Sequence, residues 1–115
     1  MSRPEGLDDA MSDFDAAVNM TAGELESWLD SDRSKQVGQK PDGGGESTGH
    51  ASGRHIVAIL RTRKDDLTDD DVAHMRKVVG YVKRHTAQRP DQSAAELEDA
   101  TWTASLRNWG HDPLR

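Results

Sequence analysis

The sequence predicts an all-α protein, a small four- to five-helix bundle with a flexible Gly-rich loop between helices 2 and 3. Three observations predict it. Apolar residues recur at spacings of three and four in successive stretches, the period of one helix face. Thr21 stands three residues before Glu24, and Thr68 three before Asp71, each at a helix-start signature. No stretch of strand length alternates apolar and polar residues with β-branched enrichment, so no sheet is expected.

The first helix is expected over Asp9 to Val18, where Met11, Phe14, Ala17 and Val18 share a face, with Asn19 as its stop. Thr21 and Glu24 then form a capping box, with Met20 and Leu25 as its hydrophobic staple, and open a second helix whose stripe is Leu25, Trp28 and Leu29. These two make a helix pair over residues 1–30 around Phe14, Val18 and Trp28. Periodicity is then lost through Ser, Asp, Lys, Gln, Pro and the Gly43-Gly44-Gly45 run, and residues 31–51 read as a flexible linker or a binding loop.

Residues 52–115 read as the C-terminal three-helix part of the same domain. Ser52 is the expected cap of a third helix, Gly53 to about Lys64, with Ile56, Ile59 and Leu60 inward. Thr68 caps the fourth, which runs from Asp69 to about Gln88. Leu67 and Val72 staple it, and three Asp residues sit at the positive end of its dipole. Val72, Met75, Val78, Val79 and Val82 fall within an arc of about 120° and form its core face. The last helix starts either at the Ser93/Glu96 box or later, at Asp99 or Thr101, and buries Trp102, Leu106 and Trp109 before Gly110 and Pro113 stop it.

Only 18 of 115 residues are Leu, Ile, Val or Phe, so the core is modest. The net charge of −6 is unevenly placed: residues 1–49 carry four basic and eleven acidic side chains, residues 50–115 eleven basic and ten acidic. With no cysteine there is no disulfide framework and no thiolate chemistry. No apolar run is long enough to span a membrane, and no apolar leader follows Met1, so a cytoplasmic protein with no membrane partner is expected.

Several segments carry a family resemblance. They are Gly49-His50, Ser52-Gly53-Arg54, Ile59-Leu60-Arg61, Asp66 to Asp71, His74 to Val82, and Asn108-Trp109-Gly110-His111-Asp112-Pro113. Together they resemble a small prokaryotic family known as domain of unknown function 3140, and Asn19-Met20-Thr21 through Trp28-Leu29 resembles its N-terminal part. Some members bear the label DNA-binding protein, so the resemblance implies a nucleic-acid partner; it supplies no catalytic or binding residues.

The most informative surface is on the fourth helix, where residues 72–89 hold Arg76, Lys77, Lys83, Arg84 and Arg89 and no acid. Arg76 with Lys83, and Lys77 with Arg84, are i, i+7 pairs flanking Ala73 and Gly80, a smooth strip rimmed by four positive charges. Such a strip lets a phosphate backbone approach while the rim neutralises it. Arg54, Arg61 and Arg63 extend the set if the third helix turns them the same way. The first expectation is therefore a nucleic-acid-associated, DNA-binding protein acting through Arg54, Arg61, Arg63, Arg76, Lys77, Lys83 and Arg84. The alternative is a protein-interaction module in which Ala73, Gly80 and Tyr81 dock a helix, in a homodimer or on an acidic partner, without nucleic acid. A third reading has the acidic N-terminal segment mask the basic face. The plain counterpart to all three is an exposed helix face whose charges only solvate it.

No enzyme is expected. No Gly-x-Ser-x-Gly, His-Glu-x-x-His or Cys-His arrangement exists, and Gly43 to Ser52 fails as a phosphate loop because His50 stands where Lys belongs. Asp69, Asp70 and Asp71 are accounted for as helix-start charges. Neither a metal nor another cofactor is expected. His50 and His55 would point about 140° apart on one helix, and His74 and His85 would lie about 16 Å apart, so a metal would need histidines from separate helices.

Overall fold

The computed structural model describes residues 5–37 and 48–115, and all the regular structure in them is helical. Seven α-helices follow in order: α1 (Leu7–Ala17), α2 (Ala22–Leu29), α3 (Asp32–Gln36), α4 (Thr48–Leu60), α5 (Asp69–Ala87), α6 (Ala94–Glu98) and α7 (Thr101–Asn108). The all-α expectation holds, while the count of four or five becomes seven among the described residues. α1 lies along α5 and α2 along α4, and α7 joins the two pairs by touching α2, α4 and α5. The core runs through Phe14, Leu25, Ile56, Met75, Val78 and Leu106.

Helix starts follow the predicted caps. Thr21 Oγ1 accepts from the Glu24 amide at 3.1 Å while Glu24 accepts from the Thr21 amide at 2.9 Å. Thr68 and Asp71 repeat the exchange at 3.2 and 2.9 Å. Met20 with Leu25, and Leu67 with Val72, are buried beneath these starts. The Ser93/Glu96 box caps the short α6, and α7 begins separately at Thr101; Asp99 instead ends α6, and Ala100 stands at the N-cap of α7 without a side-chain bond.

Two departures concern the stretch expected to be a flexible linker. Asp32–Gln36 is a helical turn capped by Ser31, and its Ser34 is fully buried. α4 begins at Thr48, so Ser52 is not a cap but an interior helix residue, also buried. Neither could be read from periodicity. α3 has no apolar stripe, and its anchor is a polar contact with a residue 74 positions away. The Gly43-Gly44-Gly45 run lies outside the described residues.

That anchor is Asn108, at the end of α7 and 1% exposed. Its Oδ1 accepts from Trp28 Nε1 of α2 at 2.8 Å and from Ser34 Oγ of α3 at 2.5 Å, while its Nδ2 donates to the Ser34 carbonyl at 3.1 Å. Gly53 allows α4 to close on the same point, because a Cβ there would stand 2.5 Å from the Asn108 carbonyl oxygen and 2.6 Å from Leu29.

Beyond Asn108 the chain clasps the α1–α2 junction. Gly110, at φ 80°, presents its carbonyl to the Asn19 and Met20 amides at 3.1 and 3.2 Å. Asn19 and Asp112 exchange two further bonds, at 2.9 and 2.7 Å, and His111 Nδ1 lies 2.8 Å from the Ala17 carbonyl. Arg115 pairs with Glu24 and holds that carboxyl down at about 2, with help from the Thr21 amide. The Asn-Trp-Gly-His-Asp-Pro run and the Asn-Met-Thr run, distant in sequence, are thus two halves of one hydrogen-bonded seam.

Urea unfolding checks these contacts. Asn108→Ala, which strips partners from Trp28 and Ser34, should cost at least about 2 kcal/mol. Gly53→Ala should cost about 1–3 kcal/mol through overpacking, whereas Gly23→Ala, where a Cβ meets nothing within 4 Å, should stabilise by roughly 0.4–1 kcal/mol.

Candidate functional site

α5 divides lengthwise into three strips. Val72, Met75, Val78, Val79 and Val82 are buried. His74, Tyr81 and His85 form a flank occupied by rings. The remainder faces outward: Ala73, Arg76, Lys77, Lys83, Arg84 and Ala87 are exposed, and Gly80 is half-buried. A Cβ built on Gly80 would meet only Arg84 of its own helix, at 3.4 Å, so no neighbouring helix covers the predicted strip among the described residues. The same outward face carries Lys77, Lys83 and Arg84, none of which forms an ion pair among the described residues. Arg76 reaches toward the start of α1, where its guanidinium lies over Gly6.

Arg54 and Arg61, at the third predicted helix, do not join this face. Arg61, just past α4, pairs with Glu26 of α2 at 2.6 Å, and Lys64 pairs with Asp8 of α1 at 2.5 Å. Arg54 lines a groove of about 550 Å³ with Glu26 and Asp30 on the α2 side of α4. Arg63 is exposed in the turn that follows. Arg89 is drawn off by Trp102, whose ring lies 5.8 Å from its guanidinium carbon. The structure therefore brings together Arg76, Lys77, Lys83 and Arg84 and separates Arg54 and Arg61 from them. The N-terminal acids Asp8 and Glu26 meet the cations beyond α4 and leave those of α5 alone.

Tyr81 belongs to the ring-filled flank rather than to the open strip. Its ring lies 3.8 Å from that of His85 and 4.1 Å from that of Trp109. Trp109 enters the gap between Tyr81 and His74, two turns apart on α5, and lies 6.1 Å from His74, which stacks in turn on His55 at 4.3 Å. Five rings form one column, and the indole and imidazole neighbours take up both faces of Tyr81. Base stacking on it is closed off. The i, i+7, i+11 spacing of His74, Tyr81 and His85 marks this flank in the sequence, but nothing there shows that Trp109 fills it.

Two polar pairs pin the far end of the column. His55 Nε2 lies 2.8 Å from Asp71 Oδ1, and His74 Nε2 lies 2.8 Å from Ser52 Oγ. Burial works to raise the Asp71 carboxyl, but hydrogen bonds from the Thr68 backbone and from His55 outweigh it and hold the group below the usual carboxylate range. Burial, and then the neighbouring His55, push His74 down to about 4, so it is neutral near pH 7. Ser52 is 4% exposed, so this Ser-His pair fixes α4 to α5 rather than facing a substrate. No group of three or more His, Cys, Asp or Glu among the described residues could hold a metal ion, and no helix there is long and apolar enough to cross a membrane.

A family model described as protein of unknown function (DUF3140) matches residues 13–107, most of the chain. The chain belongs to this family. No curated protein and no solved structure matches it. Within the DUF3140 match lie the outward face of α5, the Trp28 and Ser34 partners of Asn108, and Asn19 of the seam.

The histidine end of the column should make stability depend on pH. The unfolded chain takes up a proton at His74 near 6.5 while the folded protein resists to about 4, so stability is complete above that window and declines as pH falls through it. In urea titrations from pH 7 to 4, His74→Gln should flatten this part of the curve; an unchanged slope would assign the decline to other groups.

Proposed function

We propose that the protein binds the phosphate backbone of nucleic acid, duplex DNA foremost, through the outward face of α5 and without reading base sequence. The carrying observation is the open strip of Ala73 and Gly80, flanked by Arg76 with Lys83 and by Lys77 with Arg84, in a segment without an acidic side chain. Cations on a surface without bulk suit a charged, regular backbone, whose counterions they displace. With both faces of Tyr81 covered, stacking contributes nothing there, so affinity is electrostatic. The overall charge of −6 does not oppose this reading, because Asp8 and Glu26 of the acidic N-terminal part pair with Lys64 and Arg61 rather than with the cations of α5. The activity is that of a binding protein rather than an enzyme, and a cytoplasmic setting suits a chain without cysteine that meets nucleic acid.

A short DNA duplex in fluorescence-anisotropy titrations tests the proposal. Binding should be measurable at about 50 mM salt, with log affinity falling against log salt at a slope of about −3.6 for four phosphate contacts. Lys77→Glu combined with Arg84→Glu should abolish it. Gly80→Leu, which leaves charge unchanged, should weaken it less. Absence of binding at low salt, or indifference to the double reversal, contradicts the proposal. Self-association lost in Gly80→Leu without any duplex binding would favour helix docking on the strip instead.

A further inference from the structure

Beside the α5 ridge, a cavity of about 470 Å³ opens between the start of α4, the ring-filled flank of α5 and the end of α7. Its volume lies in the range of small-molecule sites, roughly 300–1,000 Å³. Lys77 and Arg84 line it with Ser105, Thr48, Gly49 and Trp109, and no carboxylate among the described residues does. Thr48 and Gly49 are the first residues of a 13-residue helix, so the positive end of its dipole adds to the two cations.

Trp109 gives the cavity its chemistry. The three indoles are unlike one another: Trp28 Nε1 donates to Asn108 Oδ1 and Trp102 Nε1 to the His85 carbonyl, each at 2.8 Å. Trp109 is only 4% exposed, and its Nε1 has no acceptor among the described residues. The indole is wedged between Tyr81 and His74, so the ring cannot turn to find one. Its N–H edge lies toward Gly49, where a Cβ would stand 3.2 Å away. The absence of a side chain at Gly49 leaves that edge open to the cavity among the described residues. An indole N–H without an acceptor among the described residues, at the wall of a pocket of cations and hydroxyls, suits an anion with several oxygens.

We infer that this cavity binds a dianionic phosphate monoester, with Lys77 and Arg84 neutralising its charge and the Trp109 indole N–H donating to one of its oxygens. Two cations match a dianion, whereas a carboxylate would leave one uncompensated. The site is a pocket beside the ridge and does not rest on duplex binding, although Lys77 and Arg84 serve both.

Proton–nitrogen NMR of the three indole N–H groups of the full chain tests it, with inorganic phosphate as the probe and acetate at equal ionic strength as the comparison. Phosphate should move the Trp109 signal saturably and leave Trp28 and Trp102 in place, since both are already bonded. Lys77→Gln should weaken the response about tenfold or more, as expected for losing a charged hydrogen bond. Gly49→Ala should abolish the response while duplex binding persists, which separates this site from the ridge. The unmoved Trp28 and Trp102 signals report that the variant is folded; should it not fold, the exposed Lys77→Gln variant decides alone. No movement of Trp109, equal movement of all three indoles, or an equal response to acetate overturns the inference.

Discussion

Asn108 meets α2 through the Trp28 indole, α3 through Ser34 and α4 through the absence of a side chain at Gly53, all within the reach of one buried residue. A buried carboxamide accepts this position only when its donors and acceptors are matched, so three helices are bound to a single mutual arrangement. The neighbouring residues inherit it. Trp109 follows directly and is aimed into α5, and Gly110 turns the chain back onto Asn19 and Met20. The rotation of α5 about its axis is then settled from both sides, by its valine face on α1 and by the indole between His74 and Tyr81. The outward direction of Lys77, Lys83 and Arg84 follows from that setting, although none of them takes part in it.

Charge is sorted in the same way. Asp8, Glu24 and Glu26 of the first two helices meet Lys64, Arg115 and Arg61, and α5 keeps Lys77, Lys83 and Arg84 exposed. Exposed pairs of this kind contribute at most about 1 kcal/mol each, so their effect lies less in stability than in where the residual positive field stands. Because screening confines that field to about 10 Å at 0.1 M salt, a ligand near α5 responds to the local cations and hardly to the net charge of the whole chain. This is how an acidic protein can carry the proposed contact with a polyanion.

Much of the architecture was legible in the sequence. The Thr21, Thr68 and Ser93 caps announce themselves within three residues, and the valine arc of α5 repeats often enough to survive any error in its ends. α3 was not legible, because Ser34 is held by a hydrogen bond from across the chain and local composition only says loop. Ser52 failed as a cap for the same reason: a hydroxyl before an apolar run looks alike whether it opens a helix or binds His74 from inside one. The open strip of α5 could be drawn from helical geometry, but the fate of Arg54 and Arg61 turned on which flank of α4 meets α2. The cavity beside Trp109 was out of reach, since a tryptophan at core spacing does not disclose whether its N–H finds a partner.

The proposed contact with phosphate lies on the cationic face that α5 turns to water. Its most direct measurement is backbone NMR mapping of the labelled protein with a short DNA duplex. The account predicts perturbations centred on Ala73, Lys77, Gly80 and Arg84, with the α2–α4 groove around Glu26 and Arg61 silent. Perturbations centred on that groove, or none along α5, would contradict it.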